Sequence, residues 1–137
     1  MPGIHDLPGV IHVVRGPAPA VATATTTETV LGTVPFKGVV SLAKFTALTT
    51  LTGAATNNRT MAIFNRKGDG SGTTSIAALT YASGVNATAL VPSVLTLSTT
   101  ASDLQVAAGD VLTLVSTANA SGLAQPVGAI QVDIQGA

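Results

Sequence analysis

The only imidazoles in the chain are His5 and His12, seven residues apart in a proline-rich opening segment. A general base for a Ser or Thr nucleophile has to sit on rigid scaffold beside it. An extended segment is a poor place for one, so a His-based triad is not expected. Ser71, in Gly70-Ser71-Gly72, lacks the glycine spacing of a nucleophile elbow and reads as a loop serine. The six acids are Asp6, Glu28, Asp69, Asp103, Asp110 and Asp133, scattered singly. Acid–base catalysis by paired carboxylates would need two of them to meet in space. Asp69 stands alone in Lys67-Gly68-Asp69-Gly70-Ser71-Gly72, whereas calcium wants several oxygen ligands and usually more than one carboxylate. The same loop lacks the Lys and the helix that a phosphate-binding loop requires. Asp110, after Gly109, is expected to cap its own turn. With no cysteine, thiolate metal sites and disulfides are excluded. Asn58-Arg59-Thr60, Asn86-Ala87-Thr88 and Asn119-Ala120-Ser121 match the glycosylation sequon, but chance matches are expected in so Thr- and Ser-rich a chain. These residues point to no enzyme and no cofactor.

The elements that would position such residues are strands. Candidate strands cover Glu28–Phe36, Val39–Ala47, Arg59–Arg66, Thr73–Ala82, Val94–Ser98, Val111–Thr117 and Ala129–Gln135. In the last, Ile130, Val132 and Ile134 alternate with Gln131, Asp133 and Gln135, a period of two with one dry and one wet face. The run Val39–Thr46 is apolar on both faces at several points, as an inner strand would be. Turns rich in Gly, Asn, Asp and Pro separate the runs. No 3.6-residue amphipathic period with helix start and stop signals is present. This spacing predicts an all-β, antiparallel sandwich or barrel over residues 23–137.

Residues 1–22 differ. They hold Pro2, Pro8, Pro17 and Pro19, four of the seven prolines, around the β-prone run Val10-Ile11-His12-Val13-Val14. Proline favours extended backbone and lacks a ladder donor. The segment is expected to be an extended N-terminal arm with one strand-forming patch.

Composition narrows the function classes. Charged residues are 9% of the chain, against roughly 25% in an ordinary soluble domain. Six basic and six acidic residues cancel, and no basic run is present, so the footprint of a nucleic-acid binder is missing. A neutral surface resists association poorly, which suits a component of an assembly. Mean hydropathy is positive. Residues 70–102 carry no charge, yet Gly, Ser, Thr, Asn and Pro interrupt them far short of the roughly 18 apolar residues of a membrane span. The opening Met1-Pro2-Gly3-Ile4-His5-Asp6 lacks the basic and apolar regions of a signal peptide.

One resemblance adds to this. The stretch from Thr56 through Asn65-Arg66-Lys67-Gly68-Asp69-Gly70-Ser71-Gly72 to Thr74 carries it. Ser83-Gly84-Val85-Asn86-Ala87, Val106-Ala107-Ala108-Gly109-Asp110-Val111-Leu112 and Ser121-Gly122-Leu123-Ala124-Gln125-Pro126 continue it. Over roughly residues 27–137 the chain resembles capsid decoration proteins of tailed phages of actinobacteria. The resemblance implies a jelly-roll-like β-sandwich, homotrimers at local threefold positions, and binding to the outer surface of an expanded shell of major capsid protein. On that reading the arm residues Val10, Ile11, His12, Val13, Val14 and Arg15 form the interface, adding a strand to a neighbouring sheet edge. Arg15, Lys37 and Lys44 are candidates to pair with capsid acids. The rival expectation is a tail or fibre module that binds a host-surface glycan. Sugar sites usually present aromatic rings, and this chain has one Tyr and no Trp.

Overall fold

The computed structural model describes residues 10–136, and they are almost entirely β. In chain order the strands are β1 (Ile11–Ala18), β2 (Thr27–Thr33), β3 (Gly38–Ala47), β4 (Arg59–Asn65) and β5 (Thr74–Thr80). Then come β6 (Ser93–Val94), β7 (Thr96–Leu97), β8 (Gln105–Val106), β9 (Val111–Ala118) and β10 (Gly128–Gly136). A 3-10 turn at Ala101–Leu104 precedes β8. The first sheet runs β1-β10-β3-β6, with β8 also on β3; the second runs β2-β9-β4-β5-β7. All pairs are antiparallel.

The pairing is nested. The first strand pairs with the last and the second with the last but one. The third takes β6 and β8, and β4 pairs with β5. A long hairpin rolled over onto itself produces this order, which is that of a jelly roll. The two inner faces make the core, with Val40, Phe45, Ile130, Val132 and Ile134 from the first sheet. Met61, Ile63, Ile76, Leu112 and Leu114 come from the second. The alternation read in the last strand holds: Ile130, Val132 and Ile134 are buried, and Gln131, Asp133 and Gln135 face outward. Each such buried aliphatic contributes about 1.5–3 kcal/mol.

Three β-bulges adjust this pattern, each leaving one residue without a partner across the ladder: Ser41 against β10, Leu31 against β9 and Ile76 against β4. The bulge at Ser41 explains the double-faced look of β3. Before it Gly38 and Val40 are buried, and after it Ala43, Phe45 and Ala47. The buried parity flips at the extra residue. β3 is an inner strand, flanked by β10 and by the short strands β6 and β8.

The expected strand Val94–Ser98 divides between the sheets. Val94 pairs with Lys44 in the first sheet, Leu95 is buried at the crossing, and Thr96 and Leu97 pair with β5 in the second. This staple closes one side of the sandwich. The other side closes where β1 approaches β2, so tightly that a Cβ on Gly16 would stand 2.6 Å from Leu31 Cα.

The strand-forming patch of the expected arm is present, but it belongs to the body of the sandwich. Ile11–Ala18 is a full strand of the body, paired along its length with β10, and it buries Val14 and Ala18. Residues 10–22 therefore do not form an arm outside the sandwich. Its physical basis is readable in the ladder. Gly136 N–H donates to Val10 C=O at 2.7 Å, which turns the backbone groups of every second residue, Ile11, Val13, Arg15 and Pro17, away from β10. Pro17 thus costs no ladder bond and blunts the edge. Residues 1–9 of the expected arm, His5 included, lie outside the described residues.

Candidate interaction face

The polar side chains that could do chemistry are engaged in holding the fold. Glu28 accepts a two-pronged bond from Arg66 (2.7 and 3.0 Å) and one from Thr113 Oγ1 (2.7 Å). The Arg66 bonds, with Thr113 second, hold its carboxyl below the usual range. Arg66 also lies 4.8 Å over the Phe64 ring. Asp69 Oδ1 accepts from both the amide and the hydroxyl of Ser71, a closed turn that lowers the Asp69 pKa. Asp103 accepts from Ser98 and Asp133 from Gln131. Asp110 accepts from Ala107 N–H and from Asn65 Nδ2, both at 2.9 Å, so it caps its own turn as its sequence position suggests. Among the described residues no three His, Cys, Asp or Glu side chains gather where they could hold a metal.

The most buried polar group is Arg59, with no measurable exposure. It starts β4, and its side chain alternates inward with Met61 and Ile63. In place of a carboxylate it meets oxygens. It donates to Leu123 O (2.6 Å), Thr25 O (2.9 Å), Ser116 Oγ (3.0 Å) and Ala22 O (3.0 Å). Ser116 passes a bond to Gln125 Oε1, and Gln125 Nε2 donates to Pro19 O. Two loops are thereby tied to the end of the second sheet. Desolvation lowers the Arg59 pKa, but a guanidinium stays charged at any ordinary pH.

An open cleft of about 500 Å³ lies along β5, lined by Thr73–Ala78, Thr96, Ser98, Thr99 and Asp103. Its lining is hydroxyl-rich and contains no aromatic ring.

The outward face of the first sheet is different in kind. Cross-strand partners share a face, so the register gives its rows. Ile11, Gln135 and Val39 make one row, and Val13, Asp133 and Leu42 the next. Arg15, Gln131, Lys44 and Val94 follow, then Pro17, Ala129 and Thr46. Beyond them Leu48 N–H bonds Val127 C=O and extends the ladder. Eight large apolar side chains are exposed in the described chain: Ile11, Val30, Val39, Leu48, Leu90, Val91, Val94 and Val127. Five of these stand on this one face. Leu90 and Val91 sit beside its end, anchored by Leu90 N–H to Ala47 C=O at 2.8 Å. Only Val30 belongs to the opposite sheet. Leu90 is 69% exposed and holds a φ of +61°, a left-handed backbone that a branched side chain adopts at a cost. This gathering of exposed apolar side chains makes the outward face of the first sheet the candidate interaction surface.

The six residues expected to form the interface are split by the pleat. Ile11, Val13 and Arg15 lie on the outward face. Val14 is buried, and His12 is half-buried with its ring edge-on to Phe36, centroids 5.9 Å apart. Val10 accepts the bond from Gly136. Sequence reasoning missed the larger part of the face, because Val39, Leu48, Val94 and Val127 come from distant segments. The period-two alternation of Arg59, Met61 and Ile63 was the available signal for a buried Arg59. Comparison with protein-family models, with curated proteins and with solved structures gives no match.

Proposed function

We propose that this chain is a non-enzymatic structural component of a tailed-phage particle: a decoration protein on the outer capsid surface that bridges major capsid subunits. The observation that carries the reading is the gathering of exposed apolar side chains on the outward face of the first sheet. A jelly roll is frequent among viral coat domains, which is a fold-level analogy and no more. The low charge of the chain is a second support, since a neutral, Thr-rich surface is easily desolvated.

Affinity arithmetic favours a multivalent form. Covering what remains exposed of seven half-exposed aliphatics is worth about 1 kcal/mol each, roughly 7 kcal/mol in all. Association costs about 4–15 kcal/mol. A single copy would dwell briefly, whereas a homotrimer presenting three such faces would be retained. The contact is face-on burial in place of strand donation by Val10–Arg15, since one edge of β1 is taken by β10 and Pro17 interrupts the other. The rival glycan-binding module gains nothing from the ring-free cleft at β5. Imaging of particles made with and without this chain tests the reading. Protrusions at local threefold positions that vanish in its absence are the expected result. Particles that lack the protein altogether would overturn it.

A further inference from the structure

Resting on the docking reading above, we propose that the surface this face meets presents two carboxylates, one to Arg15 and one to Lys44, within an otherwise apolar contact. The two cations occupy one cross-strand row, separated by Gln131 of β10. They stand two strands apart, about 10 Å. Among the described residues the one ion pair is Arg66–Glu28 on the other sheet, so neither cation has an internal counter-charge. Asp133, one row away, is the one acid of the face, and its Oδ1 accepts from Gln131 Nε2. The centre of the face therefore carries two positive charges and one negative. Apolar side chains flank it on both sides: Ile11 and Val39 at one end, Leu48 and Val127 at the other.

Geometry makes hydrogen-bond acceptors at this row a condition on the partner, and carboxylates are the acceptors that also bring counter-charge. A surface laid over the apolar rows takes water from the row between them. A cation desolvated without a counter-charge is strongly unfavourable. Carboxylates answer it, and Arg15 can grip one through two parallel bonds. Lys37 has no such role: it lines a separate small cleft with Lys67 and Asp110. A second copy of this chain fits less well, since its own face offers one carboxylate for two cations.

The experiment uses phage heads stripped of this protein, incubated with wild-type chain or with Arg15→Gln, Lys44→Gln, both together, or Lys37→Gln. Occupancy is read by quantitative gel after sedimentation. Each single variant at the face should weaken retention at least about tenfold. The double variant should weaken it further and lose most of the salt dependence of the wild type, while Lys37→Gln binds like the wild type. Melting temperatures should stay unchanged, because among the described residues neither cation's side chain makes a hydrogen bond or ion pair. A double variant that binds as tightly as wild type, with the same salt dependence, overturns the proposal and leaves the docking reading standing. Heads that never take up the wild-type chain overturn both. Wild-type chain that self-associates in free solution and is dissociated by the double substitution identifies a second copy as the occupant and also refutes the proposal.

Discussion

Replacing Arg59 by Met should be the most damaging single change in the chain that touches neither apolar core nor interaction face. Met fills a similar volume and keeps the strand, but cannot donate. Four hydrogen bonds are lost, to three loop carbonyls and Ser116 Oγ. Bonds from a charged donor are worth about 1.5 kcal/mol each at the low end, roughly 6 kcal/mol together. Met avoids the desolvation of a guanidinium, which offsets about 2–3 kcal/mol of that. The net loss is about 3–4 kcal/mol. A domain of this length has roughly 7–20 kcal/mol of stability in hand, so the variant still folds. Its melting temperature should fall by about 10–15 °C. Urea denaturation followed by circular dichroism gives the free energy. Hydrogen exchange gives the location, because amides such as Val21 and Gln125, which bond each other across the two tied loops, should exchange faster than those of β3. Arg59→Lys should fall between, keeping the charge and losing the fork. A Met variant within about 1 kcal/mol of wild type would refute the claim that this guanidinium holds the loops.

Acid should weaken the Glu28–Arg66–Thr113 cluster. The folded-state pKa of Glu28 lies below its ordinary value of 4.5, so its contribution is present above that pH and disappears as pH falls through the lowered value. The pair is substantially solvent-exposed, so the effect is under about 1 kcal/mol; the melting-temperature gap between wild type and Glu28→Gln should narrow as pH falls below 4.5 and close below the lowered folded-state pKa. Leu90→Gly should act in opposite directions on two readouts. Relief of the left-handed backbone should raise stability by about 0.5–1 kcal/mol, while loss of the exposed side chain should weaken retention on heads. A variant that is less stable than wild type would contradict the strain argument.

Much of the fold is readable in the sequence because one-sided burial writes itself as alternation. β10 is the clear case, and the candidate runs at 59–66 and 111–117 match β4 and β9 to within a residue. β8 was not readable: Gln105–Val106 is too short to carry a period, and its pairing with Gly38–Val39 depends on where the 3-10 turn places it. In the opening segment the β-prone run is legible, but its place in the body is not: prolines signal exclusion from a sheet, whereas Pro17 sits at a position whose N–H would face away from the ladder. The candidate face was readable only in part. Ile11, Val13 and Arg15 lie close in sequence. Their neighbours Val39, Lys44, Leu48, Val94 and Val127 join them only through strand order, and no local pattern encodes that. Each of those apolar residues looks, in its own segment, like an ordinary member of a strand or loop.

The most direct test of face-on docking compares two surface variants for occupancy of stripped phage heads. One carries Leu48→Asp and Val94→Asp on the first sheet, the other Val30→Asp on the opposite sheet. All three residues are more than half exposed, so both variants should fold. The first should be lost from heads and the second retained at wild-type occupancy. Full retention of the first, or loss of the second alone, would contradict the assignment of this face.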